Sequence, residues 1–305
     1  MNTEAYDRKS VDEAGFPLEA RIRQACRLEV YAEKPGNVSP SFCFDNAGLN
    51  DFLQSADVVA PILAESRTRG VGRAIFDAVT ATQQAIGHNT NLGIILLLAP
   101  LAAVPLSLPL RVGIADILTG MGTNDAELLY RAIRAAAPGG LGNVEEQDVN
   151  SPPTLSVIDC MRLAADRDLI AAQFTGGYQQ VLVEGCDLLQ STSEWTQHHD
   201  RRLGWLALEL LSRHGDSLIL RKCGSDMNSQ VSRKAQQVLR AGWPHQSSAW
   251  ADYDDFDAFL RTDGHRRNPG TTADIIAAVL FAMLRDHGCQ SDADETQLIF
   301  PKVRS

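Results

Sequence analysis

Residues 17–38 read PLEARIRQACRLEVYAEKPGNV, and their periodicity decides the fold class. Leu18, Ile22, Ala25 and Leu28 recur at helical spacing, with Glu29 beside them. Apolar residues three and four apart share one face of an α-helix, whereas a strand would alternate every second position. Pro17 suits a first helical position, where a missing N–H costs nothing, and Pro35 stops the run. The same period extends outward in both directions along the chain. A helix is expected over Asn50–Glu65, kinked or interrupted near Pro61, and another over Val71–Ile86 with Ile75, Val79 and Ile86 on its apolar stripe.

Gly93 to Leu110 is apolar and uncharged, and on length alone it approaches a membrane span. Pro100, Pro105 and Pro109 each remove a backbone donor, so a buried helix ending near Ala99 and a proline-punctuated connection are expected instead. Asn124 with Glu127 resembles a capping box for a helix that ends at Pro138-Gly139-Gly140. Residues 139–153, rich in Gly, Asn, Glu and Pro, form the longest expected loop, a lobe boundary or mobile lid. Further helices are expected over Thr154–Ala172, Gln179–Leu189, Asp200–Arg213, Ser229–Leu239, Tyr253–Arg261 and Thr272–Asp286. Residues 217–220 alternate like a strand but suit a helix equally. The fold class is therefore all-α, a compact globular multi-helix domain over 17–290, with tails at 1–16 and 291–305.

The chain has 305 residues, 44% of them hydrophobic, enough for a full core. A net charge of −10 excludes a general nucleic-acid binder, which needs a basic footprint. It leaves room for a nucleotide, since a few cations and helix N-termini hold one phosphate chain. Six scattered cysteines, Cys26, Cys43, Cys160, Cys186, Cys223 and Cys289, form no CxxC pair and read as buried thiols of a reducing compartment. Glu4, Asp7, Asp12 and Glu13 interrupt the N-terminus, which shows no apolar signal segment. A cytoplasmic protein without membrane contact is expected, and a homo-oligomer is compatible with the sequence.

Four segments carry possible chemistry. Lys34-Pro35-Gly36-Asn37 matches a type II turn, an ordinary helix stop that could also aim the Lys34 ammonium and Asn37 amide into a cleft beside Glu29. Asn89, Thr90 and Asn91 precede the apolar helix near Leu92; they either cap it or present amides and a hydroxyl to an anion at its positive end. In residues 214–226, Asp216 is a candidate Mg²⁺ ligand, while Arg221 and Lys222 are candidate phosphate partners. A surface loop of mixed charge is the plainer reading. Residues 268–274 open another helix, where Thr271 and Asp274 form a cap or Asp274 faces the cleft as metal ligand or proton donor. Asp252, Asp254, Asp255 and Asp257 read as a solvated helix start. The adjacent His198-His199 pair cannot face one metal from a helix.

In order and spacing, these segments resemble the triphosphoribosyl-dephospho-coenzyme A synthase family. That family carries a Glu-bearing first helix, a Lys-Pro-Gly turn, an Asn-Thr-His-Lys-Gly segment, a Gly-Asp-Thr segment followed by Arg, and a Pro-Gly-Gly-Ser-Ala-Asp helix start. The corresponding residues are Glu29, Lys34-Pro35-Gly36, Asn89-Thr90-Asn91-Leu92-Gly93, Gly215-Asp216-Ser217 with Arg221, and Pro269-Gly270-Thr271-Thr272-Ala273-Asp274. The family's His-Lys is Asn91-Leu92 here, and residues 44–48 stand where a His-Lys-Asp segment usually lies.

The resemblance implies an all-helical enzyme, with residues 17–290 as its catalytic domain, that uses ATP and Mg²⁺ in cofactor biosynthesis. It would expel adenine and transfer the triphosphoribosyl group to a ribose hydroxyl of dephospho-coenzyme A or a related precursor. Such a transfer passes through an oxocarbenium-like state, which carboxylates stabilise. The expected catalytic residues are Glu29, Asp216 and Asp274, with Asp216 and Asp274 also on Mg²⁺; Lys34, Gly36, Asn37, Asn89, Thr90, Asn91 and Arg221 would bind substrate or phosphate. Asp216→Ala is then expected to cut turnover by orders of magnitude and spare the fold. Three other readings share these residues: an Mg²⁺-dependent N-glycosidic or ADP-ribosyl hydrolase, a catalytically silent nucleotide-binding scaffold, and an enzyme of one-carbon pterin cofactor biosynthesis.

Overall fold

The computed structural model describes residues 17–301 except 44–47, 140–141, 143 and 196. The N-terminal tail and most of the segment 44–48 therefore lie outside the described residues. Fifteen α-helices occur among the described residues. They are α1 (Leu18–Tyr31), α2 (Leu49–Ala64), α3 (Ser66–Arg69), α4 (Val71–Ile86), α5 (Leu92–Ala103), α6 (Leu110–Gly120), α7 (Thr123–Ala136), α8 (Val157–Arg162), α9 (Leu169–Thr175), α10 (Cys186–Ser191), α11 (Arg202–His214), α12 (Ser217–Cys223), α13 (Ser225–Arg240), α14 (Ala249–Arg261) and α15 (Gly270–Asp286). A π-helical stretch, Gln180–Gly185, leads into α10. Near the C-terminus a two-residue ribbon, β1 (Gln290–Ser291) with β2 (Leu298–Ile299), runs antiparallel.

Two helices form the centre. On α15 every residue from Ile275 to Arg285 is buried, and on α5 every residue from Ile94 to Ala103. A helix apolar on all sides belongs in the middle of a bundle. Around this pair pack α1 against α2, α2 against α4 and α4 against α7. A second, smaller core gathers Leu208, Leu211, Val231, Trp243, Phe256 and Leu260 from α11 to α14.

The structure departs from several expected boundaries. α5 continues through Pro100 to Ala103 instead of ending near Ala99. An interior proline costs about 3 kcal/mol, whereas each buried leucine returns about 2 kcal/mol, and Leu96, Leu97, Leu98 and Leu101 are all buried. Pro61 likewise sits inside α2. The box opening α7 is made two residues earlier, with Asp125 accepting from the Gly122 amide at 3.2 Å. The expected Thr154–Ala172 helix is two helices, because Asp168 caps α9 by accepting from the Ile170 and Ala171 amides. Residues 217–220 are helical. No described helix is long and apolar enough to cross a membrane.

Candidate active site

The four segments converge on one cavity of about 1000 Å³. Glu29, Asn37, Asn89, Thr90, Asn91, Arg221 and Asp274 line it; Lys34, Gly36 and Asp216 do not.

Its amide-rich end forms where the start of α5 meets the first turns of α15. The Asp274 carboxylate accepts the Ile94 backbone amide, one of the free donors at the N-terminus of α5. This approach requires Gly93: a Cβ there would lie 2.0 Å from Asp274 Oδ2. Asp274 opens to the cavity but is otherwise deeply enclosed, and burial followed by the negative charges of Glu29, Asp216 and Asp168 drives its pKa well above the usual carboxylate range. Asn91 is buried with its Oδ1 accepting from Thr82, while Asn89 Oδ1 caps α5 at the Leu92 amide, 3.0 Å away. Thr90 meets the Ser55 hydroxyl of α2. Asn37 donates to Asn268 Oδ1 at 2.8 Å and to the Pro269 carbonyl, which leaves its buried Oδ1 without a protein partner at the cavity wall.

Three expected ligands are engaged elsewhere. Lys34 turns back to the end of α1, where its ammonium lies 3.0 Å from Glu29 Oε1, donates to the Ala32 carbonyl at 3.0 Å and also reaches the Glu29 carbonyl. Its side chain is 0% exposed, so the charge neutralises Glu29 and caps a helix C-terminus. Gly36, at φ +76°, supplies the turn; a Cβ would sit 2.8 Å from Leu260 Cβ and 2.9 Å from Pro269 Cδ. Its amide donates to Asp257 Oδ1 at 2.7 Å, so Asp257 is a half-buried joint instead of part of a solvated acidic face; Asp252, Asp254 and Asp255 are exposed as expected.

Asp216 is a fully enclosed clasp. Oδ1 accepts from the Leu218 and Ile219 amides at 2.9 and 3.1 Å, and Oδ2 from the Thr272 amide and hydroxyl at 2.8 and 2.9 Å. One carboxyl thus caps α12 and ties it to the first turn of α15. Four donors occupy both oxygens, which is not the donor set of a metal ligand. Among the described residues no group of three or more His, Cys, Asp or Glu is placed to hold a metal ion.

A cationic wall also lines the cavity. Arg221 of α12 donates to the Gly139 carbonyl at 3.0 Å and lies 3.9 Å from Asp168. Lys222 beside it is half-buried, and burial followed by repulsion from Arg221 lowers its pKa. Arg167, just before α9, completes the wall. Arg167 and Asp168 were missed in the sequence because the helix was read straight through them. The missed signal is Asp168 itself, an N-cap residue ahead of Leu169-Ile170.

The third wall is apolar, from α7, α8 and α9, and the loop over 144–149 covers it. Tyr130 donates to the Gln147 carbonyl at 2.7 Å and Arg134 to the Val149 carbonyl, so side chains of α7 fasten the loop to the cavity.

Comparison with known proteins places this arrangement. The family model CitG, ATP:dephospho-CoA triphosphoribosyl transferase, matches residues 17–292. The chain belongs to this family. Triphosphoribosyl transfer from ATP to dephospho-CoA is the family's reaction, and the enzyme is a pentosyltransferase. The fold matches the crystal structure of an Archaeoglobus fulgidus protein described as a triphosphoribosyl-dephospho-CoA synthase, with a TM-score of 0.62 and 22% identity over 78% of this chain and 98% of that one. No curated protein matches the sequence. Family membership does not favour the hydrolase, silent-scaffold and pterin readings.

Proposed function

We propose that this cavity performs the family transfer with Asp274 as proton donor and Glu29 as proton acceptor. The observation that carries the assignment is Asp274, a carboxyl opening into the cavity whose surroundings favour its protonated form. In the step proposed, the bond between the ribose C1′ of ATP and N9 of adenine breaks, and C1′ joins a ribose hydroxyl oxygen of dephospho-CoA. The departing adenine takes the Asp274 proton, and the hydroxyl proton passes to the Glu29 carboxylate. Between these events positive charge on C1′ is stabilised by the Glu29 and Asp274 carboxylates. Arg221, Lys222 and Arg167 hold the triphosphate, as guanidinium and ammonium groups hold phosphate oxygens elsewhere. Asn89, Thr90 and Asn91 orient the sugar, and Asn37 Oδ1 accepts one of its hydroxyls.

Magnesium fits only in part. Asp216 has no oxygen to spare, so of the two expected ligands Asp274 alone lines the cavity. Mg²⁺ commonly arrives on a triphosphate, keeps several waters and takes one or two carboxylates. We assign it to the triphosphate oxygens, apart from the protonated Asp274; it would neutralise phosphate charge, and no proton transfer above depends on it. The six cysteines are all free thiols, which suits a cytoplasmic setting.

Incubation with ATP, Mg²⁺ and dephospho-CoA tests the assignment. Free adenine, together with an acceptor whose mass has grown by the triphosphoribosyl group, supports it. Free triphosphoribose without an adduct would make water the acceptor and overturn it.

A further inference from the structure

We infer that the apolar limb of the cavity seats the pantetheine arm of the acceptor, an assignment that rests on the transfer proposed above. The limb is lined by Leu129, Ile133, Met161, Leu163, Ile170 and Ala171. Three polar side chains beside it are committed within the protein. The Tyr130 hydroxyl is held by the Gln147 carbonyl, Gln147 donates to Thr154 Oγ1 at 2.9 Å and accepts the Thr154 amide at 3.0 Å, and Gln83 donates to the Ala135 carbonyl.

A purine needs partners along its polar edge and an aromatic face to stack upon. The other aromatic rings at the cavity, Phe52 and His88, belong to the amide-rich end, where Ser55 of α2 meets Thr90 and Asp51 lies 3.8 Å from His88. Adenine therefore fits that end. The limb suits a chain of methylenes and a gem-dimethyl group, whose burial depends on aliphatic contact. Its mouth points the same way. Val144 and Leu163 line the cavity yet stay 40% and 38% exposed, an apolar lip along which a long arm can reach solvent.

The test compares two acceptors and two lip variants in the full chain. ADP keeps the adenosine and diphosphate of dephospho-CoA and lacks pantetheine. With wild-type protein, kcat/KM for ADP is expected about a hundredfold below that for dephospho-CoA. Val144→Ser and Leu163→Ser change exposed positions and are expected to fold. Each should raise KM for dephospho-CoA about tenfold and leave KM for ATP within about twofold. A rise in KM for ATP in step would put the base in the limb, and unchanged KM for both would empty it; either result overturns the inference while adenine is still released. Equal use of ADP and dephospho-CoA overturns it as well. Failure of wild-type protein to release adenine with any acceptor overturns the transfer and the limb assignment together.

Discussion

Asp216 and Asp274 follow small turn residues at the openings of two neighbouring helices, and the folded protein uses them in opposite ways. Asp216 is 0% exposed and receives four hydrogen bonds that fasten α12 to α15. Asp274 opens to the cavity, takes the Ile94 amide and faces the charges of Glu29, Asp216 and Asp168. Burial raises the pKa of both. The difference lies in compensation. A carboxyl with every lone pair engaged is a structural joint, whereas one held among like charges stores the proton affinity that chemistry uses. The cations divide similarly: Lys34 is spent on Glu29 and helix carbonyls, while Lys222 faces the cavity.

The largest test of this contrast is Asp274→Asn. Adenine release should fall roughly 10²- to 10⁴-fold, the usual worth of a positioned acid. Burial places the folded pKa above the unfolded one, so the stabilising contribution of Asp274 is full at acid pH and is lost as pH rises through the raised value. The variant should therefore melt at or above wild type at pH 8, with the gap narrowing on acidification. Turnover within about tenfold of wild type would erase the distinction between the two carboxylates.

Lys34→Met comes next and reads out on stability. It strands Glu29 in the interior and should cost about 3–5 kcal/mol in urea denaturation. A raised KM for ATP with unchanged stability would instead return Lys34 to the phosphate.

Asp216→Ala leaves two amides of α12 and the Thr272 amide and hydroxyl without their acceptor. We expect a loss of roughly 2–3 kcal/mol, with activity at permissive temperature lowered through the drift of α15. This replaces the sequence-based expectation of an intact fold. A fully stable, inactive Asp216→Ala protein would make the clasp a catalytic group.

Lys222→Ala should raise KM for ATP about tenfold and spare the melting temperature, since one charge-assisted bond is lost and no protein partner is stranded. The smallest effect belongs to Asp254→Asn. This exposed acid should shift stability by under about 0.5 kcal/mol and leave kinetics unchanged, in contrast to its neighbour Asp257.

Much of this was legible beforehand because helix periodicity is a local signal. Val71–Ile86 was read to the residue, and Leu18–Tyr31 lies between the two prolines that announce it. Where the reading failed, a nonlocal term won. Pro100 did not end α5 because the surrounding bundle outweighed one lost hydrogen bond. The 154–172 helix broke because a single side chain, Asp168, offered its amides a better acceptor. Asp257 was read as solvated because nothing near it in sequence announces the Gly36 amide.

By itself the sequence determined the helical class, the family and the set of segments that meet at the cavity, since these follow from spacing within some twenty residues and from motif order. Only the tertiary structure decided which charge in each segment faces inward. Lys34 and Asp216 satisfy backbone groups, while Asp274 and Lys222 face the cavity, and that choice depends on donors supplied by helices distant in sequence. Charge type is written in the chain; desolvation and hydrogen-bond partners, which set what a charge can do, exist only after packing.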